Sequence, residues 1–112
     1  RQEVIAYLKA SDIFVHSSYP GGGLSTSLLE ALACGNAVIA TPHEGANEII
    51  QDQKNGLLIS DSHPAEIAQA LRLLISDTSL RHTLAETGAA TVRSQFNWEV
   101  SAKCYHEIFQ AL

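Results

Sequence analysis

The sequence predicts an α/β fold in which a parallel sheet of about three strands is flanked by helices. Three observations predict it. Short apolar runs, Ile13-Phe14-Val15, Ala37-Val38-Ile39-Ala40 and Leu57-Leu58-Ile59, alternate with longer amphipathic stretches, the order that right-handed βαβ units require. The middle run has no polar alternation, so both its faces are buried, as in a parallel sheet. The first run leads into Gly21-Gly22-Gly23 and then into Ser25-Thr26-Ser27 at the head of the helical stretch LLEALA.

The elements follow in order. Residues 2–10 read as a helix with Val4, Ile5 and Leu8 on its apolar side. A strand follows at 13–16. The next helix runs from about 25 to 34 and stops at Gly35, a favourable residue just past a helix end. A strand at 37–40 leads to a short helix at 44–50. Asp52 to Asn55 with Gly56 make a turn, and 56–59 is the third strand. Pro64 fits the first helical position, which predicts a helix at 64–75. Asp77 caps a helix at 78–94, and Asn97 caps a last one at 98–111, with Val100, Tyr105, Ile108 and Phe109 as apolar positions. No repeat, low-complexity stretch or linker interrupts the series.

Composition narrows the function. The chain has 112 residues, 46% of them hydrophobic, and a formal net charge of −5, which fits one globular unit with a modest core. Basic residues do not cluster, which argues against a nucleic-acid or anionic-membrane partner. No apolar run approaches the ~20 residues of a membrane span, and no signal peptide opens the chain. The two cysteines, Cys34 and Cys104, lack C-x-x-C spacing. That predicts reduced thiols, Cys34 as a small buried side chain, and a cytoplasmic location.

Chemistry concentrates at the glycine loop. In open parallel sheets, ligands bind beyond the carboxyl ends of the strands. Glycines let backbone approach a ligand, and the first amides of a helix have no helical partner. Gly22, Gly23 and Leu24 can therefore present backbone to a phosphate, with Ser25 and Thr26 adding hydroxyl or amide donors. The alternative is a loop whose glycines only make the turn. The pattern is neither G-x-G-x-x-G nor a P-loop, since no lysine follows. Glu30 lies on the second turn of the helix, and helical side chains lean toward the N-terminus. A carboxylate there suits ribose hydroxyls; the alternative is a solvated glutamate, or one placed near the helix start and favoured by the helix dipole.

Other chemistry is weaker. The five histidines, His16, His43, His63, His82 and His106, show no metal-ligand spacing. His16 and His43 end strands near the loop, yet an ordinary polar role suits isolated histidines better. The serines lack a G-x-S-x-G elbow. Glu44 is equally well explained as a helix-start charge.

The run from Gly22 to Ile59 resembles the nucleotide-sugar-binding half of retaining GT-B glycosyltransferases of the group 1 family. The matching residues are Gly23, Leu28-Leu29-Glu30-Ala31, Ala33-Cys34-Gly35, Val38-Ile39-Ala40-Thr41, Gly45, Glu48-Ile49-Ile50 and Asn55-Gly56. Ser11-Asp12-Ile13-Phe14-Val15 and Phe96-x-Trp98 resemble the family's flanking segments, so the likeness covers essentially the whole chain. It implies a three-layer, Rossmann-like architecture and a single partial domain spanning residues 1–112, the second half of a GT-B C-terminal domain. It also implies retaining transfer from a nucleotide-sugar donor, without metal or other cofactor, in an enzyme whose N-terminal part lies outside this sequence. Glu30 is then the ribose ligand.

Two departures qualify the resemblance. The family carries a first glutamate, thought to contact the transferred sugar, eight positions before the second; here that position is Gly22, and the catalytic residue is unassigned. The family's enzymes also have two Rossmann-like domains, and this chain is shorter than one. No Lys or Arg occurs between Lys9 and Lys54. Loop amides and a helix dipole supply only ~0.3–2 kcal/mol toward a bound charge, whereas a millimolar Kd needs about 4 kcal/mol. The chain alone is therefore expected to hold part of a site and to be inactive. A non-catalytic remnant or scaffold of the same fold is the competing expectation. With no upstream strand beside it, the apolar strand 13–16 is an open edge, and the isolated chain is expected to form a two-fold dimer there.

Overall fold

A computed structural model describes residues 2–17, 26–42, 44–60 and 64–96. The elements run α1 (Gln2–Ala10), β1 (Ile13–His16), α2 (Thr26–Ala33), β2 (Ala37–Ala40), α3 (Glu44–Ile49), β3 (Leu57–Leu58), α4 (Pro64–Ser76) and α5 (Thr78–Thr91), followed by a π-helical segment, Val92–Phe96. The three strands form one parallel sheet in the order β1-β2-β3. Ile13 to His16 pair in register with Ala37 to Ala40, and Ile39 and Ala40 pair with Leu57 and Leu58. The predicted α/β class and parallel sheet are what the chain adopts.

The central strand organises the core. All four residues of β2 are buried, and successive side chains face opposite sides of the sheet. Val38 and Ala40 join Ile5, Leu8, Leu28, Leu32 and Ile49 on the side of α1, α2 and α3. Ala37 and Ile39 join Leu57, Ala70, Leu74 and Leu84 on the side of α4 and α5. This two-sided burial is why the strand reads as a continuous apolar run.

Local signals set the boundaries. Gly35 adopts φ +86°; its N–H donates to the Leu32 carbonyl and that of Asn36 to the Ala31 carbonyl, both at 3.0 Å. This paired closure ends α2 where the glycine predicts. Asp77 caps α5, its carboxylate accepting from the Leu80 N–H at 2.9 Å. The turn before β3 is tied by Asn55, 4% exposed. Its Oδ1 accepts from the Gln51 N–H (2.7 Å), and its Nδ2 donates to the Ile49 carbonyl (3.0 Å) and the Thr91 hydroxyl (3.1 Å). Gly88 lets α5 come this close. A Cβ there would meet Leu32 Cδ2 at 2.7 Å and the Asn55 carbonyl oxygen at 3.0 Å.

Several expectations change. Val4 is exposed, with only Ile5 and Leu8 of the predicted stripe buried, since those two are the α1 residues that reach the cluster of buried side chains. The regular α-helix of α5 ends at Thr91 and continues as a π-helical turn, which brings fully buried Val92 into the first cluster. The third strand is two residues long, although Ile59 N–H still donates to the Ala40 carbonyl. Cys34 is disulfide-bonded, not the reduced thiol expected. The helix predicted at 98–111, with its Asn97 cap, lies outside the described residues.

β1 bonds only to β2 among the described strands, and its four residues are all partly exposed. Exposed Val4 and Tyr7 lie on α1, the helix that leads into this strand. No described helix is long and apolar enough to cross a membrane.

Candidate functional site

The carboxyl ends of the parallel strands define one edge of the sheet. β1 ends there at His16 and β2 at Ala40, directly paired. The chain continues from β1 through residues 18–25 to the start of α2. Gly22, Gly23, Leu24 and Ser25, four of the six predicted ligand residues, lie outside the described residues. Thr26 is the first residue of α2.

Glu30 is the predicted site residue whose side chain the structure describes. It is 4% exposed, with Oε2 shielded from solvent. Its helical neighbours Leu28, Leu29, Ala31, Leu32 and Ala33 are buried as well, while Ser27 is exposed. Full solvation is thereby ruled out, while a placement favoured by the start of the helix is compatible with the same burial. An ionised carboxylate removed from water costs several kcal/mol unless its surroundings compensate. Helix propensity alone gives no reason to place one inside an apolar helix. Glu30 lies four residues past Thr26, about 6 Å of helical rise from the start of α2, and its side chain leans toward that end. Neither an acidic residue in the first turn nor a basic one in the last marks α2.

Three further residues occupy this edge. His16 is stacked on Phe14, ring centroids 6.2 Å apart at 19°. Burial lowers its pKa below 6.5, favouring the neutral imidazole. Thr41 is fully buried, and its N–H donates to the His16 carbonyl at 3.1 Å. Asn47 Nδ2 donates to the Pro42 carbonyl at 2.9 Å, tying α3 to the loop after β2. Sequence reasoning quoted Thr41 without giving it a place at the edge and missed Asn47, which carried no motif signal. His43 lies outside the described residues, so its expected meeting with His16 does too. Glu44 opens α3. Among the described residues no His, Cys, Asp and Glu group has metal-binding geometry.

A depression elsewhere has a different character. A cavity of about 140 Å³ lined by Glu48, Ile49, Gln51, Lys54, Asn55, Thr87 and Thr91 lies at the amino end of β3, where the Asn55 network is structural.

The chain is similar to known proteins over most of its length. A family model described as glycosyl transferases group 1 matches residues 1–91. An uncharacterized glycosyltransferase of Methanocaldococcus jannaschii, MJ1069, is 46% identical over 111 residues, covering 99% of this chain and 28% of the relative. The crystal structure of Anabaena HepE in complex with UDP-glucose superposes with a TM-score of 0.81 at 25% identity, covering all of this chain and 31% of that one. The C-terminal domain of LpcC, a glycosyl transferase group 1 family protein from Francisella tularensis, gives 0.76 at 37% identity, covering 82% and 47%. The chain thus spans under half the length of each of these proteins.

Proposed function

The chain belongs to the glycosyl transferases group 1 family, and from that premise we propose that it forms the nucleotide-sugar-binding part of a larger enzyme. That enzyme transfers a sugar to an acceptor with retention at the anomeric carbon. The bond between anomeric carbon and diphosphate breaks, a bond to an acceptor oxygen forms, and the nucleoside diphosphate leaves carrying the negative charge. Glu30 accepts from the ribose hydroxyls. The backbone of Gly22, Gly23 and Leu24, with Ser25 and Thr26, holds the diphosphate. No metal or other cofactor is assigned a role. Cationic side chains from the rest of the enzyme complete the phosphate site.

The observation that carries this reading is the buried carboxylate of Glu30 on the helix that follows β1. The UDP-glucose complex of the structural relative supports a uridine nucleotide as the first donor to try. A non-catalytic domain of the same fold is the second reading, favoured by Gly22 standing where the resembled pattern has its first glutamate. In isolation, we propose that a second copy of the chain covers the open edge of β1.

The test is calorimetry and turnover with the intact enzyme and a panel of UDP-, GDP- and ADP-sugars. Micromolar binding with sugar release or transfer is expected for one nucleotide class. Binding without turnover selects the non-catalytic reading, and no binding by any donor overturns the nucleotide-sugar-binding role.

A further inference from the structure

β1 ends on a histidine, and the packing of the strand fixes the side to which its ring projects. Phe14, two residues earlier, packs with the cluster built from α1, α2 and α3, whereas Ile13 and Val15 pack with the opposite cluster. Alternate residues of a strand share a face, and the His16 ring stacks on that of Phe14. His16 therefore lies on the side of the sheet that carries α2 and its buried Glu30. Its register partner is Ala40, which in turn pairs with Leu58. We propose that His16 is a further donor-binding residue, its imidazole donating a hydrogen bond to the diphosphate of the bound nucleotide-sugar. This assignment rests on the donor-site reading given above and adds a residue to it.

Position, availability and charge point the same way. His16 is the last residue of β1 and pairs with the last residue of β2, at the edge where parallel sheets bind ligands. The imidazole is half-buried. Its backbone carbonyl accepts from the Thr41 N–H, but no hydrogen bond among the described residues engages its ring nitrogens. A neutral imidazole has one N–H donor to offer. β1, α2, β2 and α3 contain no Lys or Arg, and His16 is the one side chain in these four elements that can become cationic.

The charged groups around this face are few. α2 contributes Glu30, which is buried, and α3 carries Glu44 and Glu48. α1 carries Glu3, Tyr7 and Lys9, all exposed. Neither β2 nor β3 has a titratable residue. Burial keeps the free imidazole neutral at neutral pH. Two phosphate charges beside the ring favour the imidazolium instead, and its hydrogen bond to an anion is about twice as strong as a neutral one. Donor binding then draws a proton from solvent onto His16, so affinity rises as pH falls from about 8 to about 6. The diphosphate of a nucleotide-sugar is esterified at both ends and exchanges no proton in this window, which leaves the proton to the protein.

The test is calorimetry on the intact enzyme with UDP-, GDP- and ADP-glucose, at about pH 8 and about pH 6, in two buffers of different ionisation enthalpy. The wild type is expected to bind one of these donors about fivefold or more tightly at the lower pH, with net proton uptake. His16→Gln keeps an N–H donor and cannot charge; it is expected to lose both the uptake and the pH-dependent gain. His16→Asn serves the same purpose, and urea melts establish that each variant is folded. A purely structural histidine would change affinity by the same factor at both pH values and take up no proton. Donor binding without proton uptake in the wild type, or uptake that persists in a folded His16 variant, overturns the assignment and leaves the donor-site reading standing. Absence of binding by every donor overturns that reading and this residue's role with it. The proton count is made on the wild type, so it decides the matter even if neither variant folds.

Discussion

Glu30→Gln separates a ligand-binding carboxylate from a structural one. Glutamine keeps the shape and one acceptor oxygen while removing the charge. A hydrogen bond to an ionised group contributes about 1.5–3 kcal/mol, so losing the charge toward a ribose is expected to weaken nucleotide binding roughly 10- to 150-fold. Stability is expected to move the other way or not at all. Glu30 is 4% exposed, and glutamine keeps its volume and one acceptor oxygen, so the packing around it is conserved. The net change in unfolding free energy is expected within about 1 kcal/mol of zero. The assay is a double-mutant cycle on the intact enzyme: wild type and Glu30→Gln, each titrated with UDP and with 2′,3′-dideoxy-UDP, alongside urea melts. The wild type should prefer the ribose form by about tenfold or more, and the variant should lose that preference. An unchanged preference, or a binding loss that merely tracks a stability loss above about 2 kcal/mol, would refute the ribose role.

The remaining predictions concern the chain more broadly. The isolated 112 residues, with no cationic side chain between Lys9 and Lys54, should bind a nucleoside diphosphate at about millimolar Kd or weaker; micromolar binding by calorimetry contradicts the partial site. Asn55→Ala removes three hydrogen bonds and should cost about 2–4 kcal/mol in a urea melt, and a cost under about 1 kcal/mol would deny the network its structural role. His16 holds its proton less well when folded than its ordinary value of 6.5. Stability should therefore be full above pH 6.5 and fall as pH drops toward the folded value, a limb that His16→Asn should flatten. The isolated chain should sediment as a dimer whose interface includes residues 13–16, and Val15→Lys should shift it toward monomer; a wild-type monomer at high concentration counts against the open-edge argument.

What could be read from the sequence divides along physical lines. Local rules were legible wherever one residue dictates one backbone event. Gly35 ends α2, Asp77 caps α5, Pro64 opens α4, and the unbroken apolar run of β2 announces a strand buried on both faces. Long-range consequences were not. Asn55 looked like a turn residue, and its bond to Thr91, 36 positions away, depends on α5 crossing close to the turn at Gly88. Val4 fitted a helical stripe as well as Ile5 did, and only the position of the core cluster decides between them. Cys34 carries no local signature of a bonded sulfur.

Glu30 combines both kinds of information. Its position one turn into α2 was legible, and so was the lean of its side chain, but the sequence left a solvated role open because a glutamate on a short helix is unremarkable by itself. Burial removes that option, and the apolar composition of the helix explains why. With Leu28, Leu29, Ala31, Leu32 and Ala33 all buried, α2 has little face left for water beyond Ser27. A helix packed this completely makes a polar residue in its middle costly to keep unless it is paired.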